Sequence, residues 1–134
     1  MGELMTDASK MTFSGADSYL RAAMSGLAAR QRTIANNVAN VDTPGFKASE
    51  VRFEDALNDA IKRDRSGTKV DQTSLNASAS CTSLVDATTT RADGNNVDVD
   101  REMELLGEAN LNYSALTQVM STRLGILRTV INGR

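Results

Sequence analysis

The sequence has no histidine, no tryptophan, one cysteine and one proline, and only 4% of its 134 residues are aromatic. Without histidine, Ser-His, Cys-His and His-ligated zinc sites cannot form, and no side chain has an ordinary pKa near neutrality. The sequence therefore excludes most hydrolase and zinc chemistry, and we expect no catalytic residue, no metal and no cofactor. Because Cys81 is alone, no intrachain disulfide can form, and we interpret it as a buried or idle thiol.

A strong charge of one sign and a long apolar run are also missing. The chain carries 15 Lys and Arg against 17 Asp and Glu, a formal net charge of -2, whereas nucleic acid selects strongly basic faces. No apolar run approaches the roughly 18 to 20 residues of a membrane span, and residues 1–13 lack the pattern of a cleaved secretory signal. We therefore predict no nucleic-acid partner and no direct membrane span, and any export must use another route.

Apolar residues spaced by four and three predict a long N-terminal helix over residues 18–41. Gly26 lies inside it, and we interpret this glycine as a packing accommodation rather than a hinge. The helix should end near Asn40, because Pro44 and Gly45 favour a type II turn just after it. The heptad row consists of Leu20, Met24, Leu27, Gln31, Ile34, Val38 and Val41.

The middle of the chain is polar and gives weaker signals. A short amphipathic helix is predicted from Phe53 to Ile61, and residues 63–96 are predicted to form an exposed loop that only its neighbours could order. The Asp and Asn residues over 93–100 resemble a calcium loop, but the glycine position of an EF-hand is occupied by Asp98. Helix capping explains these acidic residues better than a metal site.

The last third of the sequence has the strongest pattern and predicts a helix from Asp98 to about Asn132, roughly 50 Å long. Asp98 or Asp100 can cap its start. One apolar row consists of Val99, Met103, Leu106, Asn110, Tyr113, Thr117, Met120, Leu124, Leu127 and Ile131. A second row beside it consists of Leu105, Ala109, Leu116, Val119, Ile126 and Val130.

Together these patterns predict an all-α fold in which long N- and C-terminal helices pack as a lopsided antiparallel coiled-coil hairpin, ordered mainly on assembly. We divide the chain into an N-terminal axial helix and turn (1–46), a middle segment with a short helix and an exposed loop (47–97), and a C-terminal axial helix (98–134). Because one partner helix covers only one apolar row, the second row requires other molecules, and we predict polymerisation. A membrane-surface helix or a monomeric bundle is the alternative.

Three polar residues interrupt the heptad rows. Gln31, Asn110 and Thr117 occupy core positions, where polar side chains weaken a coiled coil but can fix its register and partner number. The alternative is that these positions face water.

The segment ANNVANVDTPGFK, residues 35–47, carries the family signal. It resembles the N-terminal signature of bacterial flagellar rod and hook proteins, in which an Asn-apolar-Ala-Asn pair at a helix end is followed by Thr-x-Gly-aromatic. The form of the turn and the C-terminal run over residues 94–121 are most similar to the proximal rod proteins of the basal body. The signature residues here are Asn37, Val38, Ala39, Asn40, Thr43, Pro44, Gly45 and Phe46.

This resemblance implies a structural subunit of the proximal rod, not an enzyme, whose terminal helices are largely disordered in the monomer and pack on assembly. The implied partners are copies of itself, other rod proteins, the rod-to-ring adaptor protein, and the membrane-ring and export-gate proteins. The implied location is the periplasmic side of the flagellar basal body, reached through the flagellar type III apparatus without a cleaved signal peptide. A small helical export chaperone or secretion adaptor is the alternative function.

Within this interpretation, the apolar seam residues are the expected subunit contacts, through which the polymer would help transmit torque and line the export channel. They are Leu20, Met24, Leu27, Ile34, Val38, Met103, Leu106, Tyr113, Met120, Leu124, Leu127 and Ile131.

Overall fold

Two long helices dominate the computed structural model, which describes residues 3–67, 82–85 and 91–133, with side chains from residue 15 onward. In chain order the elements are α1 (Glu3–Ala39), β1 (Ser49–Val51), α2 (Glu54–Arg65), β2 (Thr82–Leu84) and α3 (Val99–Asn132). The predicted all-α fold with long terminal helices is confirmed, as is the short helix after Phe53. No helix in the described part of the chain is long and apolar enough to cross a membrane. Cys81 lies outside the described residues.

The N-terminal helix is longer than the sequence pattern predicts. α1 begins at Glu3 instead of near residue 18 and contains 37 residues, against 34 in α3, so the two helices are roughly 55 Å and 51 Å long. The prediction of a lopsided hairpin is therefore wrong. Asp17 and Lys10 interrupt the apolar row that leads back from Leu20, and this interruption hid the first half of the helix.

The two long helices pack antiparallel, and three polar contacts between them define the register. The Asn37 amide donates to the Glu102 carboxylate at 3.1 Å, and the Gln31 amide donates to the Asn110 side-chain oxygen at 2.7 Å. Further along, Arg123 Nε lies 3.1 Å from the Asp17 carboxylate. Because the positions fall along α1 as they rise along α3, the predicted antiparallel hairpin is confirmed.

The face of α3 that packs against α1 takes residues from both predicted apolar rows. Its most buried residues are Glu102 and Ala109, at 6% and 1% exposure, and the same heptad position recurs at Leu116 and Arg123, which are half-buried. Counting apolar residues found Ala109 and Leu116, which belong to the second predicted row, but missed Glu102 and Arg123 because they are charged. The half-buried flank of this face consists of Leu105, Leu106, Tyr113, Met120 and Leu127.

A small core joins the hairpin to the middle of the chain. It contains Leu27 from α1, Val51 from β1, Phe53 before α2 and Ala109 from α3. α2 packs against α1 nearer the start of the chain, where Ala60 is buried against Ala22, Tyr19 and Leu57. Residues of α2 and α3 thus both pack against the buried side of α1.

The predicted exposed loop over 63–96 is wrong in three places, the first of which is its start, since α2 continues through Arg65. β2 pairs antiparallel with β1, with Ser49 opposite Leu84 and Val51 opposite Thr82. Near the other end, Asn95 is completely buried. The strand pairing and the buried Asn95 have the same cause, since residues distant in sequence supply hydrogen bonds that the local composition does not predict. The remainder of the predicted loop, 68–81 and 86–90, lies outside the described residues.

The turn after α1 has the predicted geometry. Phe46 N donates to Thr43 O at 3.3 Å and Gly45 has a φ of 72°, which with Pro44 before it makes a type II turn. At the other helix, Asp98 caps α3, because its side chain accepts from the backbone N–H groups of Asp100 and Arg101.

Candidate assembly surface and its supporting junction

The signature turn, β1 and the residues before α3 meet at one end of the hairpin. We call this region the junction and define it as residues 37–51 together with residues 91–102. It contains all eight signature residues, and it receives polar side chains from both long helices. Its hydrogen bonds determine how the chain leaves α1 and returns into α3.

Asn95 is the centre of the junction. Its side-chain amide donates to the carbonyls of Asn40, Val41 and Thr43 at 2.9, 3.0 and 2.8 Å, and its side-chain oxygen accepts from Val97 N at 2.8 Å. The carbonyls at the end of a helix have no partner within the helix. The three carbonyls that Asn95 bonds belong to the turn directly after α1, so Asn95 holds this turn from a position more than fifty residues away in sequence, which the pattern of α1 alone cannot reveal.

The neighbouring Asn96 fastens the turn to the two-stranded ribbon. Its side-chain oxygen accepts from Ala48 N at 2.6 Å, and its amide donates to Val85 O at 3.1 Å. Both groups flank the β1–β2 pair, so this one side chain bonds to the backbone beside each strand. The adjacent asparagines could have been noticed in the sequence as two side chains able to bond backbone in both directions.

Among the signature residues, Asn37 has a side chain that reaches both β1 and α3. Its amide donates to Ser49 O at 2.8 Å and its side-chain oxygen accepts from Ser49 N at 3.0 Å, so it pairs with β1 as a neighbouring strand would. The second N–H of its amide reaches Glu102. Asn37 is 1% exposed, and a single side chain thus links α1, β1 and α3.

The other signature residues shape the turn. Asn40 lies just after α1, and its amide donates to Asn36 O at 2.8 Å. Gly45 supplies the positive φ and also donates its N–H to Asp93 O at 2.8 Å, which ties the turn to the segment before α3. Phe46 is half-buried, whereas Ala39, Thr43 and Pro44 are exposed.

Acidic residues of the junction bond to backbone groups, as capping predicts. Asp93 accepts from Asn95 N at 3.1 Å, and Asp98 accepts from Asp100 N at 3.1 Å. Glu102 differs from them, because burial raises the pKa of its carboxyl group while the hydrogen bond from Asn37 opposes that rise.

Away from the junction, α3 exposes much of its apolar surface. We call its last exposed apolar residues the C-terminal band, and each of them is more than half exposed. The band consists of Val119 at 51%, Leu124 at 54%, Ile126 at 57%, Val130 at 72% and Ile131 at 81%. The sequence contains no acidic residue after Glu108, so this half of the helix is apolar and basic.

The predicted subunit-packing residues fall into two groups. Those on α1 are buried within the hairpin at Leu27 and Ile34 and half-buried at the other positions, Leu20, Met24 and Val38. On α3, Leu106, Tyr113, Met120 and Leu127 are half-buried, whereas Met103, Leu124 and Ile131 are exposed. Sequence reasoning missed Asn95, Asn96 and Glu102, whose importance depends on contacts across the chain.

Comparison with known proteins agrees with the signature. The family described as "Flagella basal body rod protein" matches residues 20–47. The flagellar basal body rod protein FlgB of Bacillus subtilis (strain 168) is 37% identical over 127 residues, covering 90% of this chain and 96% of the relative. FlgB of Borrelia hermsii is 35% identical over 118 residues, covering 78% and 87%, and FlgB of Escherichia coli (strain K12) is 27% identical over 118 residues, covering 79% and 86%.

These relatives match between 78% and 90% of this chain. They give no support to the alternative of an export chaperone or secretion adaptor, and the prediction of a structural rod subunit is confirmed. The chain belongs to the FlgB family of flagellar basal body rod proteins.

Proposed function

We propose that the chain polymerises through its two terminal helices as a subunit of the proximal rod, and that the C-terminal band is a principal contact between subunits. The observation that carries this proposal is the exposure of five large apolar side chains within the last four turns of α3. Burying apolar surface yields about 25 cal/mol per Å². Neighbouring subunits would therefore gain substantial free energy by covering this band.

The partners follow from the same surface and from the family. As a rod component, the chain assembles with other flagellar rod proteins at the basal body. The finer proposal is that copies of itself, the rod-to-ring adaptor, the membrane-ring and the export-gate proteins contact it on the periplasmic side. It would arrive there without a cleaved signal peptide, and it would carry no catalytic activity.

We also propose a mechanical role for the junction. Torque can pass through a subunit only if its helices and middle segment keep a fixed relation, and the junction supplies many short-range, directional contacts. Asn95 and Asn37 are almost completely buried, where a hydrogen bond is stronger and a broken one is costly. We propose that these bonds hold the turn at Pro44 in one orientation while the helices carry the polymer contacts.

The test separates assembly from folding. Leu124 is 54% exposed in the protomer, so Leu124→Asp should leave the hairpin intact but place a charge in a subunit interface, at a cost of several kcal/mol. Leu127→Asp should also block assembly, with added damage to the half-buried α1–α3 seam. The readouts are swimming, rods in isolated basal bodies, and the helix content of the purified variant.

A matched control introduces the same charge elsewhere. Asn58 is exposed on α2, and Asn58→Asp should swim normally. Normal motility and normal rods with Leu124→Asp would contradict the proposed role of the C-terminal band.

A further inference from the structure

The buried end of α3 contains a carboxyl group with too few hydrogen-bond donors. Glu102 is 6% exposed, and its Oε1 accepts from the Asn37 amide at 3.1 Å. Its Oε2 is buried and has no hydrogen-bond partner among the described residues. An ionised carboxylate offers about four acceptor sites over its two oxygens, so one shared donor leaves the charged form poorly satisfied.

Asn37 cannot supply a second donor. One of its two amide N–H groups serves Ser49 O, and the other serves Glu102. Its oxygen is occupied by Ser49 N. The amide is therefore fully used, and it reaches Glu102 through only one bond.

Charges around Glu102 do not compensate for its burial. Arg101 on α3 favours the ionised form of Glu102. Asp98, which caps α3, and Glu50 on β1 both disfavour that form. Arg30 of α1 lines the same pocket but is engaged elsewhere, since its guanidinium donates to Glu54 at 2.7 Å and to Val51 O at 2.9 Å. Burial is the largest influence, and it raises the pKa of Glu102.

Glu102 also borders a partly open pocket of about 240 Å³, lined mainly by residues of α1, β1 and the start of α3. One water molecule needs only about 10–15 Å³ of such space. The junction therefore has room to admit water beside this carboxyl group without first breaking the remaining core. Water entry would hydrate a charged Glu102 while weakening its bond to Asn37 and, through Asn37, the attachment of β1.

We propose that Glu102 is a proton-dependent latch, in which the hairpin closes at the junction around the neutral carboxyl group and loosens there when this group ionises. Since folding favours the neutral form, the folded state binds a proton more tightly than the unfolded state does. The stabilisation is fully present below the ordinary pKa of glutamate and is lost as the pH rises through the higher pKa of the folded state. The latch concerns the single protomer and does not depend on its role in the rod.

The experiment is amide hydrogen exchange on the full chain at about pH 4, below the ordinary pKa of glutamate, and at about pH 8, corrected for the intrinsic pH dependence of exchange. In the wild type, we expect protection in β1 and in the first two turns of α3 to fall by about threefold or more between the two conditions. Glu102→Gln imitates the neutral carboxyl group. We expect its protection to be high and to change little with pH.

Glu104→Gln is the matched control, since Glu104 is exposed two residues further along the same helix. It makes the same change in charge and should keep the pH dependence of the wild type. The latch would be disproved by an unchanged pH dependence in Glu102→Gln, or by wild-type protection that does not rise at the lower pH.

If Glu102→Gln does not form helix, a direct titration of Glu102 in the wild-type chain tests the latch. The side-chain carboxyl carbon of Glu102, followed by NMR in the wild-type chain, should titrate with a midpoint above the ordinary value of about 4.3. A midpoint at or below that value would overturn the proposal.

Discussion

The ring of Phe53 packs directly on Gly26 of α1. A Cβ atom at position 26 would lie 2.6 and 2.7 Å from the two Cδ atoms of the ring, distances at which the ring would have to move. On its accessible side the ring is covered by Arg30, whose guanidinium carbon lies 4.9 Å from the ring centroid. The interpretation of Gly26 as a packing accommodation is confirmed, because a side chain there would displace the residue that leads into α2.

This contact predicts that Gly26→Ala destabilises the protomer although alanine is the better helix former. Alanine gains about 1 kcal/mol of helix propensity, whereas overpacking a fixed ring costs about 1–3 kcal/mol. We expect a net loss of about 1 kcal/mol, measured as a lower urea midpoint by circular dichroism. Phe53 is 5% exposed, so the ring has little room to rotate away.

Gly107→Ala provides the control for Gly26→Ala. A Cβ at position 107 meets no atom within 4 Å, and Gly107 is exposed in α3, so we expect stabilisation by about 0.5–1 kcal/mol. Equal effects of the two substitutions would show that the Phe53 contact does not limit position 26.

A second prediction concerns Asn95. Asn95→Asp keeps the oxygen that accepts from Val97 N but replaces the amide with a second acceptor facing three carbonyls. We expect a loss of about 2 kcal/mol or more, since those carbonyls lose their donor and a charge is buried beside them. Exchange of the amide hydrogens in the last turn of α1 and in the turn at Gly45 should increase first.

The control uses the same chemistry where only an acceptor is needed. Asn36 is exposed, and its side-chain oxygen accepts from Asn40 at 3.0 Å, so Asn36→Asp preserves the bond. A change within about 0.5 kcal/mol is expected. If Asn95→Asp were equally mild, the three bonds to the turn after α1 would not contribute to stability.

A third prediction concerns the polar pair in the middle of the hairpin. Gln31 and Asn110 bond at 2.7 Å, and a double-mutant cycle with Gln31→Ala and Asn110→Ala should give a coupling of about 0.5–1 kcal/mol. Replacing both residues by leucine should instead raise helix content and weaken the choice of register. Urea unfolding measures the coupling, and spin-label distances between the helices measure the register.

For this cycle, Asn112→Ala replaces Asn110→Ala in the control, because Asn112 is exposed on the same helix. Its effect should add to that of Gln31→Ala without coupling. A coupling as large as that of the true pair would indicate a general effect on α3 rather than a bond.

The long helices and the turn between them could be predicted because their information is local. Leu27 and Ile34 mark the buried side of α1 by spacing alone, and Pro44 with Gly45 determines the turn. Of the three polar residues predicted at core positions, Gln31 and Asn110 pair across the two helices. Asn110 and Thr117 are nevertheless exposed, so the alternative that these positions face water holds for both. Each of these signals lies within one heptad or one turn of the residues it describes.

The junction could not be predicted in the same way because its partners are distant in sequence. Asn37 and Glu102 are separated by 65 residues, and a charged residue on a helix normally indicates a solvent-facing position. The three-residue strands are too short to show alternation. Asp17 likewise appeared to end a row, although it lies in the seam and pairs with Arg123.

The antiparallel course of the long helices has a practical consequence. Beyond Asp17 and Arg123 both helices continue in the same direction, α1 toward Glu3 and α3 toward Asn132. Fluorophores attached near Glu3 and Asn132 would therefore lie at the same end of the hairpin. Energy transfer between them would report in real time whether the two helices of one molecule are packed along their whole length.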